Sequence, residues 1–138
     1  MLVIQHNCRQ TYATTIAALE TGLKANAAFI CVQEPVVGQH TVSHPGYILY
    51  WPEAGEQREK RVFIAVRRDL AAQVIIEART DLINHPYAIA LDIWELHPKT
   101  KAKRRRTRLI NIYDNRIGRG TCYEKEANYT WRVIEEIS

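Results

Sequence analysis

The stretch that most constrains this chain is Ala28-Phe29-Ile30-Cys31-Val32-Gln33-Glu34-Pro35. A continuous apolar run this short, bounded by polar residues, reads as a strand buried on both faces. Pro35 has no N–H for a sheet ladder and biases the residue before it toward an extended shape. The strand is therefore expected to stop with Glu34 extended at its carboxyl end. A carboxylate there is placed for chemistry, against the plainer reading of a strand-end acid in a surface salt bridge.

One buried strand needs neighbours, and 138 residues with 46% apolar and 25% charged content suit a single globular domain. The chain opens directly on Leu2-Val3-Ile4 and nowhere carries about 18 consecutive apolar residues, so no signal peptide or membrane span is expected and the location reads as intracellular. Three cysteines, Cys8, Cys31 and Cys122, form no CxxC pair, which argues against a zinc knuckle and for small packing residues in a reducing compartment. The net charge of +4 is local: seven of the nineteen basic residues lie between Lys99 and Arg108.

Leu2 to Asn7 reads as a first strand, and Tyr12, Ile16, Leu19 and Leu23 fall at helical spacing, with Asn26 as a helix stop. Strand, helix, strand within about 35 residues is a right-handed crossover, which makes the two strands parallel and brings Asn7 and Glu34 to one sheet edge. Further strands are expected at Tyr47 to Trp51, Arg61 to Arg67, Gln73 to Glu77, Tyr87 to Leu96 and Arg108 to Tyr113. The last two form a hairpin across a basic loop, and pairing after the crossover is mostly antiparallel. Thr121-Cys122-Tyr123-Glu124 has the form of a capping box, with Ala127, Trp131, Ile134 and Ile137 as a helical stripe behind it. Tyr47, Tyr50, Trp51, Trp94 and Trp131 read as core. His40, His44, His85 and His97 read as solvated loop residues.

The ordered set His6-Asn7-Cys8-Arg9, Cys31-Val32-Gln33-Glu34-Pro35 and Asn111 to Gly118 resembles the endonuclease/exonuclease/phosphatase superfamily. The likeness is strongest to the N-terminal endonuclease domains of non-LTR retrotransposons, from reverse transcriptase-bearing elements. It implies that Glu34 binds a divalent metal, Mg²⁺, that Asn7 lies beside it in the metal and phosphate site, and that Tyr113 hydrogen-bonds the scissile phosphate. Mg²⁺ favours one or two carboxylates and completes its shell with water and substrate phosphate, in accord with a single Glu. The family's later motifs, a Gly-Asp-x-Asn strand end and a terminal Ser-Asp-His, match nothing here: Asp69, Asp81, Asp92 and Asp114 lack that context, and no histidine follows His97.

The resemblance therefore implies an α/β fold with a mixed, mostly antiparallel sheet and helices on one face, half of a four-layer α-β-β-α sandwich. Residues 1–138 form one truncated domain on this reading, whose missing half lies in the same polypeptide or whose bare sheet packs against a second copy as a homodimer. The function reads as a Mg²⁺-dependent DNA endonuclease that is catalytically incomplete in this chain. The alternative is a nucleic-acid-binding or structural dimer with no nuclease role. Lys101, Lys103, Arg104, Arg105 and Arg106 are candidate DNA-binding residues. The run containing them also reads as a nuclear-localisation signal or a solvated loop. No aromatic residue interleaves it, so base stacking is not expected there.

Overall fold

A computed structural model describes residues 1–37, 42–114, 119–125 and 131–133. The opening crossover is present: β1 (Val3–Asn7) and β2 (Phe29–Gln33) pair in parallel, Val3 beside Phe29 and Asn7 beside Gln33, joined through α1 (Tyr12–Lys24). Antiparallel β4 (Val62–Arg67) and β3 (Tyr47–Tyr50) complete a first sheet in the order β1-β2-β4-β3. After the short α2 (Arg68–Ala71) come β5 (Val74–Ala78), β6 (Ala88–Leu96), β7 (Lys103–Asp114), β8 (Arg119–Lys125) and β9 (Trp131–Val133). These form a second, wholly antiparallel sheet in sequence order.

Two sheets correct the expectation of one. The inner face of the first supplies Phe29, Cys31, Val62, Ile64 and Val66, and these pack in one buried cluster with Ile89, Leu91, Ile93 and Leu109 of the second. Alternate residues Ile4, Ile30, Val32, Phe63 and Ala65 point the other way, onto Ala18 and Leu19 of α1. The described residues thus stack as helix, sheet, sheet, in an α/β fold of mixed and antiparallel strands. The apolar face for which a second copy was invoked is covered within the chain, so the homodimer expectation loses its physical premise.

The end of the chain departs from its local signals. Thr121 to Glu124 lie in β8, where Asn111 pairs with Cys122 and Ile112 with Thr121, so sheet pairing overrides the capping-box pattern. Trp131 begins β9 rather than continuing a helix. Ala127, Ile134 and Ile137 lie outside the described residues, as do His40 and Asn115 to Gly118 of the tyrosine motif.

Helix α1 starts at the N-cap Thr11, whose hydroxyl accepts the Thr14 N–H at 3.2 Å, and the chain leaves it through Asn26 at φ +57°. Its buried face takes only half of the apolar stripe: Leu19 is buried and Ile16 packs against the core, Tyr12 and Leu23 are exposed, and Thr15, Ala18 and Gly22 complete the face toward the sheet. The reason is proximity. A Cβ on Gly22 would stand 2.2 Å from Ile30 Cδ1, so the helix lies closer to β2 than bulky side chains permit. Thr15, fully buried, accepts the Val36 N–H at 3.1 Å and so tethers the segment after Glu34 to the helix.

Candidate functional site

The carboxyl ends of β1 and β2 meet at one corner of the first sheet. Cys8 N–H donates to Gln33 O at 2.8 Å, Gln10 N–H to Glu34 O at 2.7 Å, and Glu34 N–H to Arg61 O at 2.7 Å. Glu34 is not extended: its φ is +47°, and Arg9 (+51°) and Gln10 (+61°) are left-handed beside it. A left-handed residue other than glycine costs about 1 kcal/mol or more. Three such residues in one corner are retained because the surrounding hydrogen bonds fix both the N–H and the C=O of Glu34, overriding the usual effect of Pro35. Strain concentrated in this way is typical of functional sites.

Tyr113, near the end of β7 and seventy-nine residues away, donates its hydroxyl to Glu34 Oε1. This bond, helped by partial burial and by the Glu34 charge, pushes the Tyr113 phenol up to about 12, against a smaller lowering by Arg61. Tyr87 packs edge-on to Tyr113 with ring centres 5.8 Å apart, and its carbonyl accepts the Tyr113 N–H at 2.8 Å.

Three amides hold this corner from beneath. Gln5 Nε2 donates to Gln33 Oε1 at 3.2 Å, Gln33 Nε2 donates to Asn111 Oδ1, and Asn111 Nδ2 donates to the carbonyls of Val32 (3.0 Å) and Phe63 (2.9 Å). All three side chains are buried between the sheets. Because Gln33 precedes Glu34 and Asn111 stands on the same face of β7 as Tyr113, the relay bears on the spacing of the Glu34 and Tyr113 side chains. Sequence reading missed it, since the partners are 28 and 78 residues apart and single buried amides carry no linear signature.

Asn7 reaches the same edge, but its Oδ1 accepts the Arg9 N–H at 3.0 Å, closing the turn into the helix. His6 lies on the opposite face of β1. Cys8 is fully buried, and burial pushes its thiol up to about 12 despite a lowering contact from Thr15, in accord with a packing role. His44, expected in solvent, is buried: Nε2 lies 2.8 Å from Glu20 Oε1 and Nδ1 accepts the Gly46 N–H at 2.9 Å.

The basic run is mostly strand, not loop. Only residues 97–102 form the hairpin tip, where Lys101 is left-handed at φ +60°, while Lys103, Arg104, Arg105 and Arg106 begin β7. Lys103 stands ten residue steps from Tyr113 and Arg106 seven, about 34 and 24 Å at the rise of an antiparallel strand. An aromatic does enter the run, from the neighbouring strand: Trp94 pairs with Arg106 in register, with Lys103 Nζ 4.9 Å and the Arg106 guanidinium 5.6 Å from its ring. Asp92, on the same outer face, is fully buried and takes two hydrogen bonds from Arg108 (2.7 and 2.9 Å) and one from Arg79 (2.6 Å). Burial opposes ionisation there, but the two guanidiniums outweigh it and hold the carboxyl below its ordinary range.

A comparison with solved structures aligns 81% of this chain with the endonuclease domain of TRAS1, a telomere-specific non-LTR retrotransposon, at a TM-score of 0.59 and 18% identity. The chain has the fold of that endonuclease domain. It spans 43% of that chain's length. No protein-family profile and no curated protein sequence matches it. Among the described residues no helix is long and apolar enough to cross a membrane, and no three His, Cys, Asp or Glu side chains gather as a ready-made metal cage.

Proposed function

We propose that this chain forms the Glu34 side of a divalent-metal, phosphodiester-binding site of the retrotransposon endonuclease type, incomplete for hydrolysis by itself. The observation that carries the reading is the Glu34–Tyr113 pair: a carboxylate and a phenol from different sheets, hydrogen-bonded at a corner of strained backbone. A lone carboxylate flanked by an amide fits Mg²⁺, which keeps water and phosphate oxygens in most of its coordination positions, and does not fit zinc, which asks for three or four side chains. Glu34 would hold the ion with Asn7 beside it, and the bound ion supplies charge neutralisation at the phosphoryl oxygens. The Tyr113 hydroxyl, already a donor to an anionic oxygen, is suited to donate to a phosphate oxygen instead. What the chain does not offer is an acid in Gly-Asp-x-Asn context or a late histidine to orient and activate a nucleophile.

Lys101, Lys103, Arg104, Arg105 and Arg106 serve as a separate contact to the DNA backbone. Lys103, at the far end of the strand portion of this run, lies about 34 Å from Tyr113 along β7, close to one turn of duplex, so one DNA could meet both.

The test is Mn²⁺ binding, read by the loss of free-ion paramagnetic resonance signal, beside nicking of supercoiled plasmid in Mg²⁺. The expected result is ion binding that Glu34→Gln removes, with no nicking by the 138-residue chain. Equal binding by Glu34→Gln overturns the metal reading. Nicking by the chain, lost in Glu34→Gln, overturns its incompleteness. A nucleic-acid-binding module without nuclease ancestry is favoured only by the Lys101–Arg106 surface, and salt-dependent DNA binding with no ion binding would select it.

A further inference from the structure

A cleft of about 520 Å³ opens beside the Glu34–Tyr113 pair, lined by Arg58, Glu59, Arg61, His85, Pro86 and Tyr87. Its volume lies in the range of small-ligand sites. Two backbone hydrogen bonds join it to the candidate site: Arg61 O accepts the Glu34 N–H at 2.7 Å, and Arg61 N–H donates to Pro86 O at 2.9 Å. Tyr87 is shared between the two, forming a wall of the cleft and packing edge-on against Tyr113.

The lining has the chemistry of a phosphate with a ring attached. Arg61 Nη1 donates to the carbonyls of Arg58 (2.6 Å) and Lys60 (3.3 Å), so among the described residues its charge is met by neutral oxygens and not by a carboxylate. Arg58 is exposed and pairs with exposed Glu56 at 3.0 Å, an arrangement worth little against competing anions. The carboxylate of Glu59 accepts the Glu56 N–H at 3.1 Å, which commits it to closing the turn. His85 Nδ1 accepts the Tyr87 N–H at 3.0 Å, so the neutral ring carries its proton on Nε2 and presents a donor away from that bond. His85 also packs edge-on to Tyr87 with centres 5.1 Å apart, leaving an aromatic edge and face for a base or sugar. Gly55, at φ +81°, lets the turn before Arg58 lie against Pro86, since an added Cβ would stand 3.1 Å from Pro86 Cβ.

We propose that this cleft binds the nucleotide next to the one at Glu34 and Tyr113, with Arg58, Arg61 and His85 on its phosphate and Tyr87 against its ring. The inference rests on the phosphodiester reading of the Glu34 site, but it is measured without metal and without catalysis.

The experiment uses the full chain in EDTA, titrated with the 5′-phosphorylated dinucleotide pTpT, following the His85 and Tyr87 side-chain resonances by NMR. Arg58→Ala and Arg61→Lys are each expected to weaken pTpT about tenfold, the effect of one charge-assisted hydrogen bond. With a longer single strand, Arg58→Ala should lower the slope of log K against log salt by about 0.7, while Arg61→Lys, which keeps the charge, should leave it unchanged. With EDTA present, the His85 and Tyr87 shifts should appear without any added ion. Shifts confined to residues 99–106, or affinity unchanged in Arg58→Ala and Arg61→Lys variants that melt as the parent does, overturn the proposal. If inorganic phosphate at equal concentration reproduces the Tyr87 shifts, the ring contact is overturned and a simple anion site remains. Intact cleft binding together with Glu34-independent ion binding would sink the metal reading alone.

Discussion

The two faces of the β6–β7 hairpin solve the same problem differently. On the inner face Asn111 joins Gln33 and Gln5 through neutral amides, closed off from water by both sheets. On the outer face Asp92 is equally buried but is surrounded by Arg79, Arg106 and Arg108, whose side chains keep some contact with solvent. A charge in the inner layer would lose its hydration with no route back to water, whereas arginines on an open face cover a carboxylate and still reach solvent themselves. The neutral network sits under the Glu34–Tyr113 corner. The charged network holds the hairpin that carries the basic residues.

The strongest way to break this contrast is Asn111→Leu. It removes the donor to two buried carbonyls and the acceptor for Gln33, three groups with no access to replacement water. We expect a loss of about 4 kcal/mol by urea titration, at roughly 1–2 kcal/mol for each stranded group. Asp92→Asn should cost less, about 2 kcal/mol, because the guanidiniums left behind are partly solvated and need not remain unpaired. The two also differ in pH. The folded carboxyl of Asp92 is held below its ordinary value, so its contribution is present above about pH 4 and fades as pH falls through the lowered value. Stability measured from pH 6 to pH 2 should show this acid-labile part in the parent and in Asn111→Leu, and not in Asp92→Asn.

Glu34→Gly sharpens the comparison from the other side. The residue sits at φ +47° under hydrogen bonds made by its backbone, and glycine satisfies these without a Cβ penalty. Stability should rise by about 1 kcal/mol while ion binding is lost, the pattern of a position kept for chemistry at the expense of the fold. A fall in stability would mean that the Tyr113 hydrogen bond outweighs the strain.

Much of this was legible in the chain. Apolar runs located β1 to β7, and the strand, helix, strand order fixed the parallel pair that places Asn7 beside Gln33. Sheet membership was not legible, because β4 and β5 follow one another through the short α2 and no linear signal marks the change of sheet. The capping-box pattern at Thr121 misled because pairing to β7 outweighs a local preference for helix. At the candidate site, Glu34 stood out by its place at a strand end, and Tyr113 only through the ordered motifs of the resemblance. The left-handed backbone of Glu34 was hidden behind the average effect of Pro35, and Trp94 entered the basic run from a strand whose register no linear reading supplies.

The smallest effect separates the two faces most finely. Tyr113→Phe keeps the ring against Tyr87 and removes only the hydroxyl donated to Glu34, so the stability cost should be about 0.5 kcal/mol for a partly solvated bond. The pH dependence is more informative. The phenol is raised from 10.0 to about 12, so its contribution is full below pH 10 and is lost as pH climbs through 12, where a tyrosinate would face the Glu34 carboxylate. Absorbance titration of the tyrosinates should show one phenol ionising late in the parent and missing in Tyr113→Phe. Glu34→Gln, which leaves an acceptor but no charge, should bring that late ionisation back toward 10. If the late phenol survives Glu34→Gln unchanged, burial and not the carboxylate sets it, and the pair at this corner is a packing contact and not a charge-tuned one.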